Sequence, residues 1–216
     1  MAVKVIPLKC PECAGILSGF ENDRIFFCAN CQSGWDFSSE IYKPLRVSYA
    51  RAKKIPSQYQ MLFYLPFYFY QVVLEMTLDR EVSDTVARII KDLNYIYVAG
   101  FQLLRENYFG DLGLIYTESR LALEEDKERN SQAWQRIGSA TRGLDDVEPY
   151  LKHYPLLIVD KRQDITGMEL RVRKCFDRIW AVPFFDLGKQ IQDGILGRTF
   201  SSYALDTIDE FRKIRY

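Results

Sequence analysis

The sequence predicts an α+β protein: a small N-terminal ribbon built on four cysteines, then a mixed, largely antiparallel sheet domain with a few helices. Three observations point there. Two Cys-x-x-Cys pairs, Cys10–Cys13 and Cys28–Cys31, stand fourteen residues apart near the start of the chain. Three segments, 63–67, 96–101 and 179–184, share an aromatic, an aliphatic, a Pro or Gly break and a Phe, which reads as three related strands. Between and after them, apolar residues recur at helical spacing.

A chain of 216 residues has room for one medium domain and a small one, with enough length to bury a core. Its hydrophobic share of 48% and charged share of 27% are those of a globular protein, and a formal net charge of zero removes any global field favouring nucleic acid or an anionic membrane. Aromatic residues reach 14%, which suits either thick aromatic packing in sheets or a surface that uses aromatics for contact.

Residues 1–42 form the ribbon. Arg24–Phe27 is a strand leading into the second cysteine turn, Asn22-Asp23 supplies the bend before it, and Gly34–Phe37 is the strand that leaves. A module of this size buries too little apolar surface to fold alone, so a bound metal would provide much of its folding free energy. Residues 43–58 form a connector between Pro44 and Pro56 that carries Lys43, Arg46, Arg51, Lys53 and Lys54 and no acid. It reads as a solvated basic linker.

Residues 59–216 form an aromatic-rich α+β domain. The run 62–74 is apolar on both faces, as a central strand covered on both sides requires. Its longest apolar stretch, 61–74, is interrupted by Pro66 and Gln71 and falls short of the ~20 residues a membrane span needs. Prolines inside these strands mark a bend, a bulge or a sheet edge. Val82, Val86, Ile89, Ile90 and Leu93 predict a helix over 80–93, capped by Asp79 and stopped at Asn94. Leu121–Ser139 is rich in helix formers with a thin apolar stripe, which predicts a half-exposed helix. Leu156–Val159 and the alternating segment 168–173 predict a hairpin around 163–167. Leu205, Ile208, Phe211 and Ile214 predict a closing helix of two to three turns.

The cysteines specify chemistry. Thiolates are soft ligands that zinc prefers, and two residues between thiols let one tight turn present both sulfurs to one ion about 2.3 Å away. Cys10, Cys13, Cys28 and Cys31 are therefore the predicted metal ligands of a structural zinc site. Four thiolates close the coordination sphere and leave no position for an activated water. They also suit iron, whose colour would tell the two metals apart.

Cys10-Pro11-Glu12-Cys13 followed by Gly15 and Leu17, then Cys28-Ala29-Asn30-Cys31 followed by Gly34-Trp35, resembles the zinc ribbons of transcription factors and many bacterial proteins, a four-cysteine, rubredoxin-like module. The resemblance is confined to residues 1–42 and implies the same four ligands. Ala14 departs from the pattern, standing where glycine often follows the second thiol. The segment Tyr64–Tyr68 after the ribbon is similar to uncharacterised bacterial ribbon proteins, a likeness that carries no activity with it.

Other candidates read as structural. His153, the only histidine, is placed in a loop with no triad partner; Cys175 is placed as a small core residue; the run Glu124–Arg129 is a solvated helical face. Glycines 188, 194 and 197, near Asp186 and Asp193, match no phosphate-cradling loop. The favoured function is a cytoplasmic zinc-binding scaffold or protein-interaction subunit, with a protein partner or a second copy of the chain. Cysteine usage fits a reducing compartment, and Met1–Lys9 lacks the apolar run of a signal peptide. One alternative is a nucleic-acid-associated factor using the connector with Arg171, Arg173 and Lys174, although residues 1–45 carry a net charge of minus one. Another is an enzyme using Asp160, Asp177 or Asp186, and a third is peripheral contact with a membrane surface through the connector.

Overall fold

The computed structural model describes residues 8–37, 44–77, 82–104, 110–127 and 137–214. Nine strands share one sheet among these residues: β1 (Leu17–Ser18), β2 (Ile25–Cys28), β3 (Ser33–Asp36), β4 (Pro44–Tyr49), β5 (Met61–Thr77), β6 (Tyr95–Ala99), β7 (Glu169–Asp186), β8 (Gln190–Asp193) and β9 (Thr199–Ser201). Their order is β1-β2-β3-β4-β7-β5-β6, with β8 on β7 and β9 on β8. Every pair is antiparallel except β4 with β7. The helices are α1 (Asp84–Asp92), α2 (Leu112–Glu118), α3 (Leu144–Val147), α4 (Tyr150–Asp160) and α5 (Ile208–Lys213). The α+β class with a mostly antiparallel sheet is what the sequence predicted.

The three aromatic segments lie side by side in β5, β6 and β7. Alternation along each sends one set of side chains to each face. Phe63, Leu65 and Phe67, Tyr97 and Ala99, and Trp180, Val182 and Phe184 enter one core, covered by Tyr116 of α2, Ile191, Phe200, and Ile208 and Phe211 of α5. Tyr64, Tyr68 and Tyr70, Ile96 and Val98, and Ile179 and Ala181 enter the other, covered by Val147, Leu151 and Tyr154. The high aromatic content is spent here, in a sheet with a core on each side.

Pro66 and Pro183 sit inside the long β5–β7 ladder without breaking it. The Gly100 N–H donates to the Pro66 carbonyl (2.9 Å) and the Gly194 N–H to the Pro183 carbonyl (2.8 Å), so both prolines point their backbone polar side away from that ladder. The missing donors fall where pairing with β6 and β8 gives out. The one register shift of the ladder lies elsewhere, between Phe69 and Tyr70, where Asp177 is the extra residue on β7.

Several sequence expectations are corrected. The connector reading of 43–58 meets β4, which pairs antiparallel with β3 and parallel with β7 and buries Leu45, Val47 and Tyr49. Helix α1 starts at Ser83, whose hydroxyl accepts from the Val86 N–H; Asp79 lies outside the described residues, and the other end is capped by Leu93, so that the helix stops before Asn94 as expected. Residues 121–127 are not helical, and Glu125 forms an isolated antiparallel bridge with Ala50. The Arg51 N–H donates to the Glu124 carbonyl (2.8 Å) and the Asp126 N–H to the Tyr49 carbonyl (2.8 Å), so this segment borrows its backbone partners from the chain around β4. The rest of that expected helix up to residue 136 lies outside the described residues. Residues 156–159 belong to α4, because the apolar run continues a helical spacing begun at Leu151 and Tyr154. Its expected hairpin partner around 168–173 instead leads into the eighteen-residue strand β7, which starts at Glu169 and runs on through 179–184. The closing helix spans six residues.

Candidate metal centre

Two similar turns carry the thiols. In the first, the Ala14 N–H donates to the Cys10 carbonyl (2.9 Å) and the Cys10 N–H to the Gly15 carbonyl (2.7 Å); in the second, the Gln32 N–H donates to the Cys28 carbonyl (3.0 Å). Ala14 and Gln32, each following the second cysteine of its pair, both have φ of 57°. That left-handed conformation is the one glycine adopts without cost, which explains why the departure at Ala14 strains the turn but leaves the cysteine in place. Pairing of Leu17 with Cys28 folds the first turn over the second.

Alternation in β2 then divides the ribbon's side chains. Phe26 and Cys28 face the cysteine cluster with Cys10, Leu17, Trp35 and Phe37, and Phe26 meets Phe37 edge to face at 5.6 Å. Ile25 and Phe27, 0% and 3% exposed, face the other way and enter the large core beside Tyr64 and Ile179. Polar links reinforce this docking: the Arg24 N–H donates to the Ala140 carbonyl (2.7 Å), and the Leu144 N–H donates to the Asp36 carboxylate (3.0 Å). The Phe20 ring meets Phe211 of α5 edge to face at 4.7 Å.

All four sulfurs lie within 4.8 Å of one another, with Cys10–Cys31 and Cys13–Cys28 at 3.5 Å. Four thiolates at about 2.3 Å from one tetrahedral ion stand about 3.8 Å apart, so the arrangement fits a single cation. Cys10 and Cys28 are buried, Cys31 is partly buried and Cys13 is exposed, which sets the centre at the surface with its back to the ribbon's apolar cluster. Crowding separates the thiols electrostatically. Against desolvation, the backbone N–H groups of Cys13 and Glu12 lower the Cys10 thiol to about 6, whereas burial and the neighbouring sulfurs push Cys31 up to about 12. A cation taken up here displaces protons.

Ser33 was not singled out by sequence reasoning. It leaves the second turn on β3, where its hydroxyl oxygen accepts from the Trp35 indole N–H (2.8 Å) and lies 3.0 Å from the Cys31 sulfur. A period-two pairing of Ser33 with Trp35, immediately after the last thiol, is the signal that would have found it.

The other candidates do not gather. Asp177 and Asp186 are nine residues apart on one strand, roughly 30 Å. Asp177 pairs with Arg178 (2.7 Å), and Asp186, fully buried, is held by the Arg212 guanidinium at 2.8 and 3.0 Å. Asp160 is exposed at the end of α4, and Asp193 accepts from the Tyr116 hydroxyl (2.6 Å). A surface cleft of about 440 Å³ is lined by Val82, Ser83, Asp84, Arg162 and Gln163 and includes none of these carboxylates. His153 lies on the exposed side of α4 instead of in a loop, and Cys175 is exposed on β7 instead of buried in a core.

The basic residues are likewise dispersed. Arg173 pairs with Glu75 across the ladder, whereas Lys174, its neighbour on β7, points to the opposite face and pairs with Glu148. Lys53 pairs with Glu124 (3.4 Å), and Lys43 lies outside the described residues. Among the described residues no helix is long and apolar enough to cross a membrane. Comparison of the chain with protein-family models, with curated proteins and with solved structures finds no match.

Proposed function

We propose that the protein holds one structural zinc ion on Cys10, Cys13, Cys28 and Cys31, that the ion fixes the ribbon against the large sheet, and that the molecule serves as a scaffold or interaction subunit of a cytoplasmic assembly. The observation that carries the reading is the convergence of four sulfurs within 4.8 Å. A four-thiolate sphere is closed to substrate, so its chemistry is that of a staple. The dispersal of Asp160, Asp177 and Asp186 gives the enzyme alternative no assembled site, and the ion pairs at Lys53, Arg173 and Lys174 weaken the nucleic-acid alternative.

Elemental analysis of the natively purified chain is expected to return one zinc per molecule, lost when Cys10 and Cys28 are both replaced by serine. Iron with visible colour would reassign the metal, and absence of any metal would overturn the site. The scaffold role is tested by affinity capture from native lysate combined with size determination. A monomer that captures nothing rules it out.

A further inference from the structure

We infer that Ser33 is a positioning residue for the metal centre, its hydroxyl held by the Trp35 indole and donated to the Cys31 sulfur so that this ligand is fixed and its charge tempered when an ion is bound. The inference rests on the metal reading above. An indole N–H donates and never accepts, so at 2.8 Å it occupies a lone pair of the Ser33 oxygen and leaves the serine proton to find another acceptor. The Cys31 sulfur is 3.0 Å away, and the Cys10 sulfur is farther, at 4.0 Å. Both members of the relay are sealed from solvent: Ser33 is 6% and Trp35 5% exposed. The alternation of β3 keeps them on one face, and pairing of Ser33 with both Cys28 and Arg46 fixes the backbone beneath them.

A cation with four thiolates carries excess negative charge at the sulfurs. A donor aimed at one of them drains that charge, and its partner in turn fixes the donor's direction, which is how outer-shell groups orient and tune metal ligands. Cys13, on the exposed side, meets solvent; Cys31 is supplied from inside the fold.

The full chain loaded with Co(II) provides the test, because sulfur-to-cobalt charge transfer reports on the thiolates directly. Ser33→Ala is expected to weaken Co(II) and Zn(II) binding, measured by chelator competition, about 10- to 100-fold, and to move the charge-transfer band to lower energy. Ser33→Thr, which keeps the hydroxyl, is expected to stay within about threefold of the parent, and Trp35→Phe to shift the band in the same direction by less. The proposal is overturned if Ser33→Ala matches the parent in affinity and band, or if Ser33→Thr is as weak as Ser33→Ala. Should Ser33→Ala fail to fold, an unshifted band in Trp35→Phe overturns it equally. A parent protein that develops no charge-transfer band takes down the metal reading and this inference together, which separates the two failures.

Discussion

Asp23 sits where the ribbon meets the large domain, 7% exposed, and burial pushes its carboxyl up from 3.8 to about 7, with the Phe20, Ala140 and Ser139 backbone pulling it back. An acid whose folded value is raised binds its proton more tightly in the native state, so its stabilising effect is complete below about pH 4 and is lost as pH rises through 7. The difference is of the order of 4 kcal/mol. Asp23→Asn keeps an oxygen to accept from the Phe20 N–H (2.9 Å in the parent) and removes the charge. Urea unfolding of the metal-loaded protein should show the variant more stable than the parent at pH 8, with the gap shrinking towards pH 4. A gap that is constant with pH would show that this carboxyl is ionised throughout. Ala14 and Gln32 illustrate the same scale from the backbone side: a left-handed φ at each closes the turn that carries a pair of thiols, against the preference of either side chain.

At the scale of elements, the edge of the sheet explains how α2 is placed. Among the described residues strand β6 has β5 on one side only, and its far side would leave backbone groups unpaired. Thr117 of α2, fully buried, closes that edge: its hydroxyl accepts from the Tyr97 N–H (3.0 Å) and lies 3.2 Å from the Tyr97 carbonyl. Such an approach needs a helix with no side chain at the contact. A Cβ on Gly113 would stand 2.8 Å from the Ala99 nitrogen and 2.9 Å from the Tyr97 carbonyl oxygen, both backbone atoms that cannot swing aside. Gly113→Ala is therefore expected to lose about 1–3 kcal/mol in denaturant unfolding, although alanine is the better helix former. Thr117→Val, equal in shape, should lose about 1–3 kcal/mol by stranding the Tyr97 groups. If both variants match the parent, the edge is not closed in this way. Helix α1 was legible from its own residues because its apolar spacing is regular; its start was misplaced because Ser83, three residues before Val86, caps it in place of Asp79. Helix α4 was misread because a window of 156–159 is too short to separate a buried strand from a helix.

For the whole molecule, the ribbon and the sheet are joined by β4 and by a shared core. Metal would hold the side of the ribbon that carries the cysteines, where the apolar cluster is small (Cys10, Leu17, Cys28 and Trp35), while Ile25 and Phe27 belong to the core around β5 and β7. Removal of the ion with a strong chelator should raise amide hydrogen exchange in Leu17–Ser18, Ile25–Cys28 and Ser33–Asp36 while the β5–β7 ladder keeps its protection. Uniform loss across the sheet would mean that the ion supports the entire fold, and no change would mean that the shared core suffices.

The sequence by itself determined the grouping of the four cysteines, the three aromatic strands and the existence of α1, because each is written in a local pattern: thiol spacing, alternation, helical recurrence. Only the tertiary structure decided that 44–49 is a strand, that 121–127 is not a helix but bonds to the chain at 49–51, that 169–186 is one continuous strand and that Ser33 reaches Cys31. The physical reason is common to all four. Backbone hydrogen-bond partners and neighbouring side chains settle these matters, and for β4 on β7 the partners lie more than a hundred residues away.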